Sequence, residues 1–472
     1  MLYRRTPPYR LPRETLPVEL TERTLQDAVA VMGEWDQDGA QAAQSALEWM
    51  GWEGEGSLIL RRYDVQLFAW YTLPRKFLTS LEFKREAADA LARTLEQLGG
   101  TAASYAEVCR SADTDEMLCA WEAEDPSVQK CLRELLDHSG IEPPNTELLA
   151  WGSVMGLEEA QVREEIATAL EEATEDGRLS PGSPGFHRRQ AEVADAALRA
   201  PADAGDERSR LEVVHAERLA HWVQRGNTRG SAERSAIIEP VAALIAAEPT
   251  SIDTDSACTT LAPALWLLSQ ANDGIALTQT GAFNRAFVRE VAERWPNWWR
   301  AELFGPPNRQ EDLALLCELD DLLRNQRLIR RKGRQILTTA RGRKLAADPP
   351  ALLLTLAREL LAGNSFRAAC AELTAALILN GATADYSDTF TDLIHQTIVA
   401  EGWQADGEPP EAREVTWNLA AFLRPAEAIG LLEHKESGSR LQPASRILTD
   451  TGRTALIAGL RERALAPATG PY

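Results

Sequence analysis

Nine cations crowd into one short stretch of this chain, residues 324–344, which contains no Asp or Glu. Such a run can hold phosphate or the carboxylates of an acidic partner, because no neighbouring acid neutralises it. Ordinary solvated surface charge is the alternative. The candidate anion or nucleic-acid contacts are Arg324, Arg327, Arg330, Arg331, Lys332, Arg334, Arg341, Arg343 and Lys344.

The rest of the chain is acidic. Its 472 residues include 71 Asp plus Glu and 50 Lys plus Arg, a formal net charge of −21. Setting the nine cations aside leaves 41 cations against 71 acids, or −30. This balance argues against a protein that coats nucleic acid with its whole surface, since such a protein needs a surplus of cations. The sequence instead predicts a local basic site on an acidic body.

Catalytic and metal-binding motifs are missing from the sequence. It contains neither a Gly-x-Ser-x-Gly turn nor a His-Glu-x-x-His motif, and its six His are scattered. Gly54-Glu55-Gly56 precedes a predicted strand instead of following one, so it is not a nucleotide-binding loop. No two of the six Cys lie two to four residues apart, as zinc ligands do. We predict no catalytic residue, no metal site and no cofactor.

The cationic run lies where the sequence predicts a small β-hairpin between two helices. Leu313–Leu323 has the apolar spacing of a helix, and apolar pairs then flank a turn at 331–334. The same order of helix, strand, turn, strand and helix recurs further along. It is typical of a winged helix, so we predict winged-helix-like modules near 309–345 and 411–460. A helical bundle with two incidental hairpins is the alternative.

A short repeat follows the predicted strands. Leu277-Thr-Gln-Thr-Gly281 matches Leu448-Thr-Asp-Thr-Gly452, and Ile336–Arg343 is a third copy that is one residue longer before its Gly. In each copy we expect a strand to end at Leu and a Thr to cap the helix that follows.

Most of the remaining chain has the periodicity of amphipathic helices. The predicted fold class is therefore mainly α and multi-helical, with winged-helix-like modules carrying small β-hairpins. We predict an N-terminal helical domain over 1–176, with a hairpin near 57–72 and a helix-turn-helix-like segment over 146–179. A Pro- and Gly-rich stretch predicts a linker over 177–210, followed by a C-terminal helical domain over 211–472.

Two predicted helices stand where a helix would read DNA, and both are acidic. In the usual geometry the second helix enters the major groove while the hairpin touches the backbone. The helix before the basic hairpin contains Glu318, Asp320 and Asp321, and the predicted helix over 158–176 contains eight acids and one Arg. Phosphates would repel both helices, so DNA contact is predicted only through the hairpin.

Trp298 and Trp299 are the candidate interface residues outside the basic run. Two adjacent side chains cannot easily both face one core, and aromatic side chains are common anchors of protein interfaces.

The C-terminal half resembles a known family. Its motifs are similar to the C-terminal region of plasmid-associated actinobacterial helical proteins of obscure function. The resemblance covers roughly residues 240–460, and it implies tandem winged-helix modules and a bacterial host but no activity. The motifs that carry it are Leu277–Gly281, Trp298-Trp299, Leu328–Arg334, Asp348-Pro349 and Leu448–Arg453.

Three classes of function fit these observations. The first is a non-enzymatic interaction or scaffold protein, whose partner is another protein or a second copy of the chain. The second is a DNA-binding regulator or plasmid-maintenance factor that contacts phosphate through residues 324–344. The third is an enzyme with an unrecognised site.

Because the sequence has neither an apolar run of membrane-spanning length nor a secretory signal, we expect a cytoplasmic protein without a membrane partner.

Overall fold

The computed structural model describes residues 18–52, 57–202, 207–224, 232–247, 250–299, 304–384, 387–404, 407–435 and 445–468. The chain divides into two compact units. The first comprises residues 1–215 together with 467–472, and the second comprises residues 216–466.

The first unit is helical apart from one pair of short strands. Strand β1 pairs antiparallel with β2, with Val18 opposite Leu60. Side chains of Thr21, Asp36, Ser80 and Ser111 cap four of its helices by accepting backbone N–H bonds. The elements are β1 (Val18–Leu20), α1 (Glu22–Gly33), α2 (Gln37–Trp49), β2 (Leu58–Leu60), α3 (Arg62–Leu67), a π-helical turn (Phe68–Thr72), α4 (Leu73–Lys76), α5 (Leu81–Leu98), α6 (Gly100–Cys109), α7 (Ala112–Glu122), α8 (Val128–Ser139), α9 (Leu157–Glu175) and α10 (Phe186–Arg199).

The second unit combines helices with two small antiparallel sheets. Helix α11 begins in the first unit and ends in the second. The elements are α11 (Arg210–Gln224), α12 (Ala232–Ala246), α13 (Thr254–Thr260), α14 (Ala262–Asp273), β3 (Ile275–Ala276), α15 (Arg285–Arg294), α16 (Ala314–Asn325), β4 (Ile329–Lys332), β5 (Gln335–Thr338), α17 (Ala340–Ala346), α18 (Pro349–Leu361), α19 (Phe366–Leu379), α20 (Asp388–Ala400), α21 (Ala412–Ala428), β6 (Leu432–Lys435), β7 (Ser445–Leu448) and α22 (Asp450–Leu465).

These elements confirm the predicted mainly α, multi-helical fold with small β-hairpins. Buried Leu, Ile, Val and Ala side chains from the helices of the second unit form one continuous core. Within the described residues, every helix is too short or too polar to cross a bilayer.

The predicted hairpin near 57–72 is wrong. Strand β2 does form, but its partner is β1, and the chain after it is helical from Arg62 to Lys76. The Asp64 carboxylate accepts the backbone N–H of Arg61 at 2.9 Å, which caps the start of α3. The apolar residues over 65–68 therefore enter the core from a helix, because a local cap overrides their strand-like composition.

The predicted helix-turn-helix over 146–179 is also wrong, although its second helix is present as α9. Residues 150–156 form no helix. The side chain of Asn145 accepts the N–H of Trp151 at 2.8 Å, and Thr146 Oγ accepts the N–H of Leu148 at 3.1 Å. These bonds satisfy the backbone in a turn and leave no first helix for the motif.

The predicted linker over 177–210 belongs largely to the first unit. Helix α10 packs against α9 and buries Phe186, Ala194 and Leu198. The division between the units falls after His215, inside α11. Pro and Gly residues flank α10, but its apolar face is sufficient to fold it onto the unit. Residues 203–206 of the predicted linker lie outside the described residues.

The second unit contains the same arrangement twice. The first module, residues 262–346, runs α14, β3, α15, α16, β4, β5 and α17, and its sheet has the order β3-β5-β4. The second module, residues 366–465, runs α19, α20, α21, β6, β7 and α22. There Ala384 pairs with Arg446 of β7 and takes the place of β3. Both modules start earlier than the predicted 309–345 and 411–460, because a helix and a third, very short strand precede them.

A common closure holds the base of the hairpin in both modules. The N–H of Thr339 donates to the carbonyl of Leu328 at 2.9 Å, and that of Thr449 donates to Leu431 at 3.1 Å. Each Thr hydroxyl also caps the following helix by accepting the N–H of the Gly three residues later.

The copy at 277–281 differs, and the expectation that one of its Thr residues caps the following helix is wrong. Thr278 closes a turn with Ala282, and the side chain of Asn284 caps α15 instead.

Candidate anion-binding site

The basic run forms the outer hairpin of the first module and the short helix after it. In the hairpin, Ile329 pairs with Thr338 and Lys332 pairs with Gln335. The connecting turn needs only Gly333 and Arg334, and the positive φ of Gly333, 61°, permits that tight connection. The hydroxyl of Thr338 donates to the carbonyl of Leu268 at 2.6 Å, which ties the hairpin to α14.

Eight of the nine cations are exposed, and Arg324 is half-buried. Arg330 and Lys332 lie on β4, and Arg334 lies at its turn. Arg331 is held close to the sheet, because its Nε donates to the carbonyl of Gly333 at 3.1 Å and its guanidinium lies against Gly281. The hairpin therefore presents a row of positive charge to solvent.

These cations have few partners in the part of the chain that the structure describes. Only Arg324 pairs with a carboxylate, that of Asp320 at 2.8 Å. Arg341 donates to the side-chain oxygen of Gln326, and Arg343 donates to the carbonyl of Thr338. Both of these acceptors are neutral, so the positive charge of the surface is not compensated. We call the exposed cations of 327–344 the basic surface.

In the first module, α16 is the helix that would enter the major groove of DNA, and its packing holds it inside the unit. Helix α16 buries its leucine face in the core and packs against α21. Burial raises the pKa of the half-buried Glu318, while Arg424 on α21 lowers it. Burial also raises the pKa of Asp320, and Arg324 opposes that shift. Glu318 and Asp320 thus lie in packed surroundings, whereas Asp321 is exposed.

The acidic helix over 158–176 is α9, and its charges are also used internally. Glu164 pairs with Arg61 at 3.4 Å, and Glu165 pairs with Arg210. Glu171 is buried and accepts the backbone N–H of Arg62 at 3.2 Å. These three acids tie α9 to neighbouring segments of the first unit.

Trp298 and Trp299 both pack against the core of the second unit, so the expectation that they cannot share one core is wrong. The chain makes this packing possible with a 3₁₀ turn at Pro296–Trp298. Trp298 stacks on Trp295 with ring centroids 5.3 Å apart, and Trp299 Nε1 donates to the carbonyl of Gly305 at 2.6 Å. Both rings are half-buried, and a role for them in an interface stays a prediction.

A groove of about 410 Å³ lies beside the basic surface. Leu265, Leu268, Ala346 and Pro349 contribute apolar lining, and Ser269 is an exposed residue at its edge. Arg343 lines the same groove, so groove and basic surface are continuous. Sequence patterns could not locate this groove, because its walls come from separate elements.

A second feature missed by the sequence is a buried network of charges in the second unit. Arg234 pairs with Glu372 at 2.5 Å and with Glu401 at 2.7 Å. Arg463 pairs with the other oxygen of Glu372 at 2.6 Å, and Trp222 Nε1 donates to Glu372 at 2.6 Å. Two cations balance two acids, so the network joins helices without net charge.

The described residues contain no group of three or more His, Cys, Asp or Glu side chains placed to hold a metal ion. Their six Cys are free thiols. Burial raises the pKa of Cys109 and of Cys370 to about 12, so both are poor nucleophiles.

Comparison with known proteins gives one family model and one relative that match part of the chain. Residues 257–351 match the family model described as the Y4jL N-terminal domain. The uncharacterized protein y4jL of Sinorhizobium fredii (strain NBRC 101917 / NGR234) is 31% identical over 97 residues, which are 20% of this chain and 44% of that protein. The chain thus covers less than half of this relative. No solved structure matches.

The matched region contains both the groove and all nine cations. The resemblance of the C-terminal half to plasmid-associated actinobacterial proteins is not tested by these matches, and it stays a prediction.

Proposed function

We propose that this chain is a non-enzymatic bacterial interaction protein built on two winged-helix modules, and that its basic surface binds an anionic partner. The supporting observation is the unbalanced charge at 324–344. In a chain of net charge −21, eight exposed cations have no carboxylate partner among the described residues. Surface cations of acidic proteins readily find local acids, so this grouping favours an external anion.

The order of elements supports winged-helix modules. In each module a helix and a short strand precede two helices and a hairpin, and the early strand pairs with the second strand of the hairpin. A winged helix that reads bases needs its second helix free for the major groove. Since α16 is acidic and packs against α21, we favour a docking role.

A DNA-binding regulator or plasmid-maintenance factor is the second candidate. The same basic surface favours it, because exposed cations on a hairpin are suited to the phosphate backbone. Such a protein would bind duplex through 324–344 with little dependence on sequence, and its affinity would fall steeply with salt. In either case we expect the protein to act in the cytoplasm.

Charge reversal at three positions tests the proposal. In the variant, Arg330, Lys332 and Arg334 are replaced by Glu, and Arg331 is kept because it contacts Gly281. The probes are a fluorescent peptide of Asp and Glu and a fluorescent random-sequence DNA duplex, measured by anisotropy at low and moderate salt. We expect peptide affinity to fall about tenfold or more in the variant.

The matched control reverses three exposed cations that have local acidic partners, Arg23, Lys130 and Arg188. Its change in net charge is the same, but it should keep the peptide affinity of the wild type. Equal peptide binding by all three proteins would overturn the proposal. Tight duplex binding that is lost only in the hairpin variant would put the DNA-binding candidate first.

A further inference from the structure

The groove beside the basic surface has a mainly apolar lining, in which Ser269, Asn272 and Thr338 are the neutral polar residues, and a cationic edge. Leu265 and Leu268 on α14 form one side, and Ala346 on α17 and Pro349 at the start of α18 form the other. Among the residues that line it there is no Asp or Glu, and Arg343 is its one charged group. An apolar group flanked by negative charge is the complementary ligand.

The groove has room for one large side chain. Its volume of about 410 Å³ falls at the lower end of the roughly 300–1,000 Å³ that ligand pockets span. Leu268 is fully buried and is anchored through its carbonyl by the Thr338 hydroxyl at 2.6 Å, so the floor is held in place. A preformed groove of this kind loses little entropy when it is filled.

We propose that the groove and the basic surface form one docking site for an acidic peptide segment of another protein, in which a single large apolar side chain enters the groove. Acids on either side of that anchor then face Arg343 and the cations of 327–344. This inference rests on the proposed function and names the class of partner. Duplex DNA would meet the cations but has no exposed apolar side chain for the groove.

Two peptides and two variants test this site. One short peptide of Asp and Glu carries a central Phe, and the other carries Ala at that position. Ser269→Trp fills the groove from an exposed helical position. Thr259→Trp places the same side chain at an exposed position of α13 that does not line the groove. Thermal unfolding checks that both variants are folded.

With the wild type and the Thr259→Trp control, we expect the Phe peptide to bind about tenfold or more tightly than the Ala peptide, because buried aromatic anchors dominate such contacts. Ser269→Trp should abolish this preference, because the Trp ring occupies the groove. Equal binding of the two peptides to the wild type, or a preference that survives in Ser269→Trp, overturns the inference.

The two proposals fail in different ways. If the Phe preference is absent but acidic peptides still lose affinity on charge reversal at 330, 332 and 334, the inference fails and the proposed function stands. If charge reversal has no effect on either peptide, the proposed function fails as well. A preference for duplex over both peptides excludes the acidic-peptide partner.

Discussion

The guanidinium of Arg234 donates to the carboxylate of Glu372 across 2.5 Å, and the two side chains are only 2% and 1% exposed. Arg463 pairs with the second carboxylate oxygen, so Glu372 lies between two cations. These three residues lie on α12, α19 and α22 and connect helices that are far apart in the chain. Burying such charges is costly unless each has its partners, and here Glu401, which also pairs with Arg234, brings the acids to two against two cations.

Replacing Glu372 by Gln should destabilise the second unit by about 3–5 kcal/mol, because two buried guanidinium groups lose their shared counter-charge. Urea unfolding followed by tryptophan fluorescence measures the loss, since Trp222 donates to Glu372. The exposed Glu239→Gln on α12 is the control and should change the unfolding free energy by less than about 0.5 kcal/mol. A comparably small effect of Glu372→Gln would show that the network contributes little to stability.

Gly342 and Gly452 should not tolerate Ala. A Cβ at either position would lie 2.2 Å from a backbone oxygen, that of Leu328 or of Leu431. We expect each substitution to cost about 1–3 kcal/mol, because the hairpin closure must open to admit the methyl group. Differential scanning calorimetry of the two variants measures the cost.

Gly33 provides the contrast for this prediction. It is the last residue of α1, and a Cβ added to it would lie 3.7 Å from the Cβ of Ala40, an ordinary contact. Gly33→Ala should therefore stabilise α1 by up to about 1 kcal/mol through helix propensity. If Gly342→Ala stabilised the protein as Gly33→Ala does, the tight closure at the base of the first hairpin would be incorrect.

Asp64 should make the stability of the first unit depend on pH. Burial raises the pKa of its carboxyl to about 6, and Glu164 adds to the rise while Arg61 opposes it. The folded state therefore binds this proton more tightly than the unfolded state, whose Asp pKa is about 3.9. The protonated Asp64 therefore contributes fully to the free energy of unfolding below about pH 4, and this contribution is lost as the pH rises through 6.

The test compares the wild type with Asp64→Asn by urea unfolding at several pH values. From about pH 4 to pH 7 the wild type should lose about 2–3 kcal/mol relative to the variant, because Asn has no proton to release. If the unfolding free energies of the wild type and Asp64→Asn changed in parallel with pH, Asp64 would titrate at its ordinary pKa in the folded protein.

The local patterns of the sequence predict the first hairpin well. Leu, Ile and Thr spacing marks α16, β4 and β5, and the nine cations are exposed or half-buried as a basic site requires. The pattern fails over 57–72, where short apolar runs fit a strand as well as a buried helix. The choice there depends on the cap formed by Asp64 and on β1, a strand from about forty residues earlier that pairs with β2.

The groove and the charge network lie beyond such patterns for a different reason. Arg234, Glu372 and Arg463 come together only through packing of three helices, and no spacing along the chain marks them as partners. An acid in an apolar helix such as α19 does signal a buried polar contact, because an unpaired charge is rarely buried. It does not identify the residue that balances the charge.

The shared closure at the base of both hairpins frees their tips to vary. Gly333 and Arg334 alone connect β4 to β5, whereas residues 436–444 separate β6 from β7. Lengthening a loop whose ends are already fixed costs little, since the entropy of closing it grows only with the logarithm of its length. Because the bond between Thr339 and Leu328 already fixes the ends of the first hairpin, an epitope tag or a reporter peptide spliced between Gly333 and Arg334 should leave the fold intact.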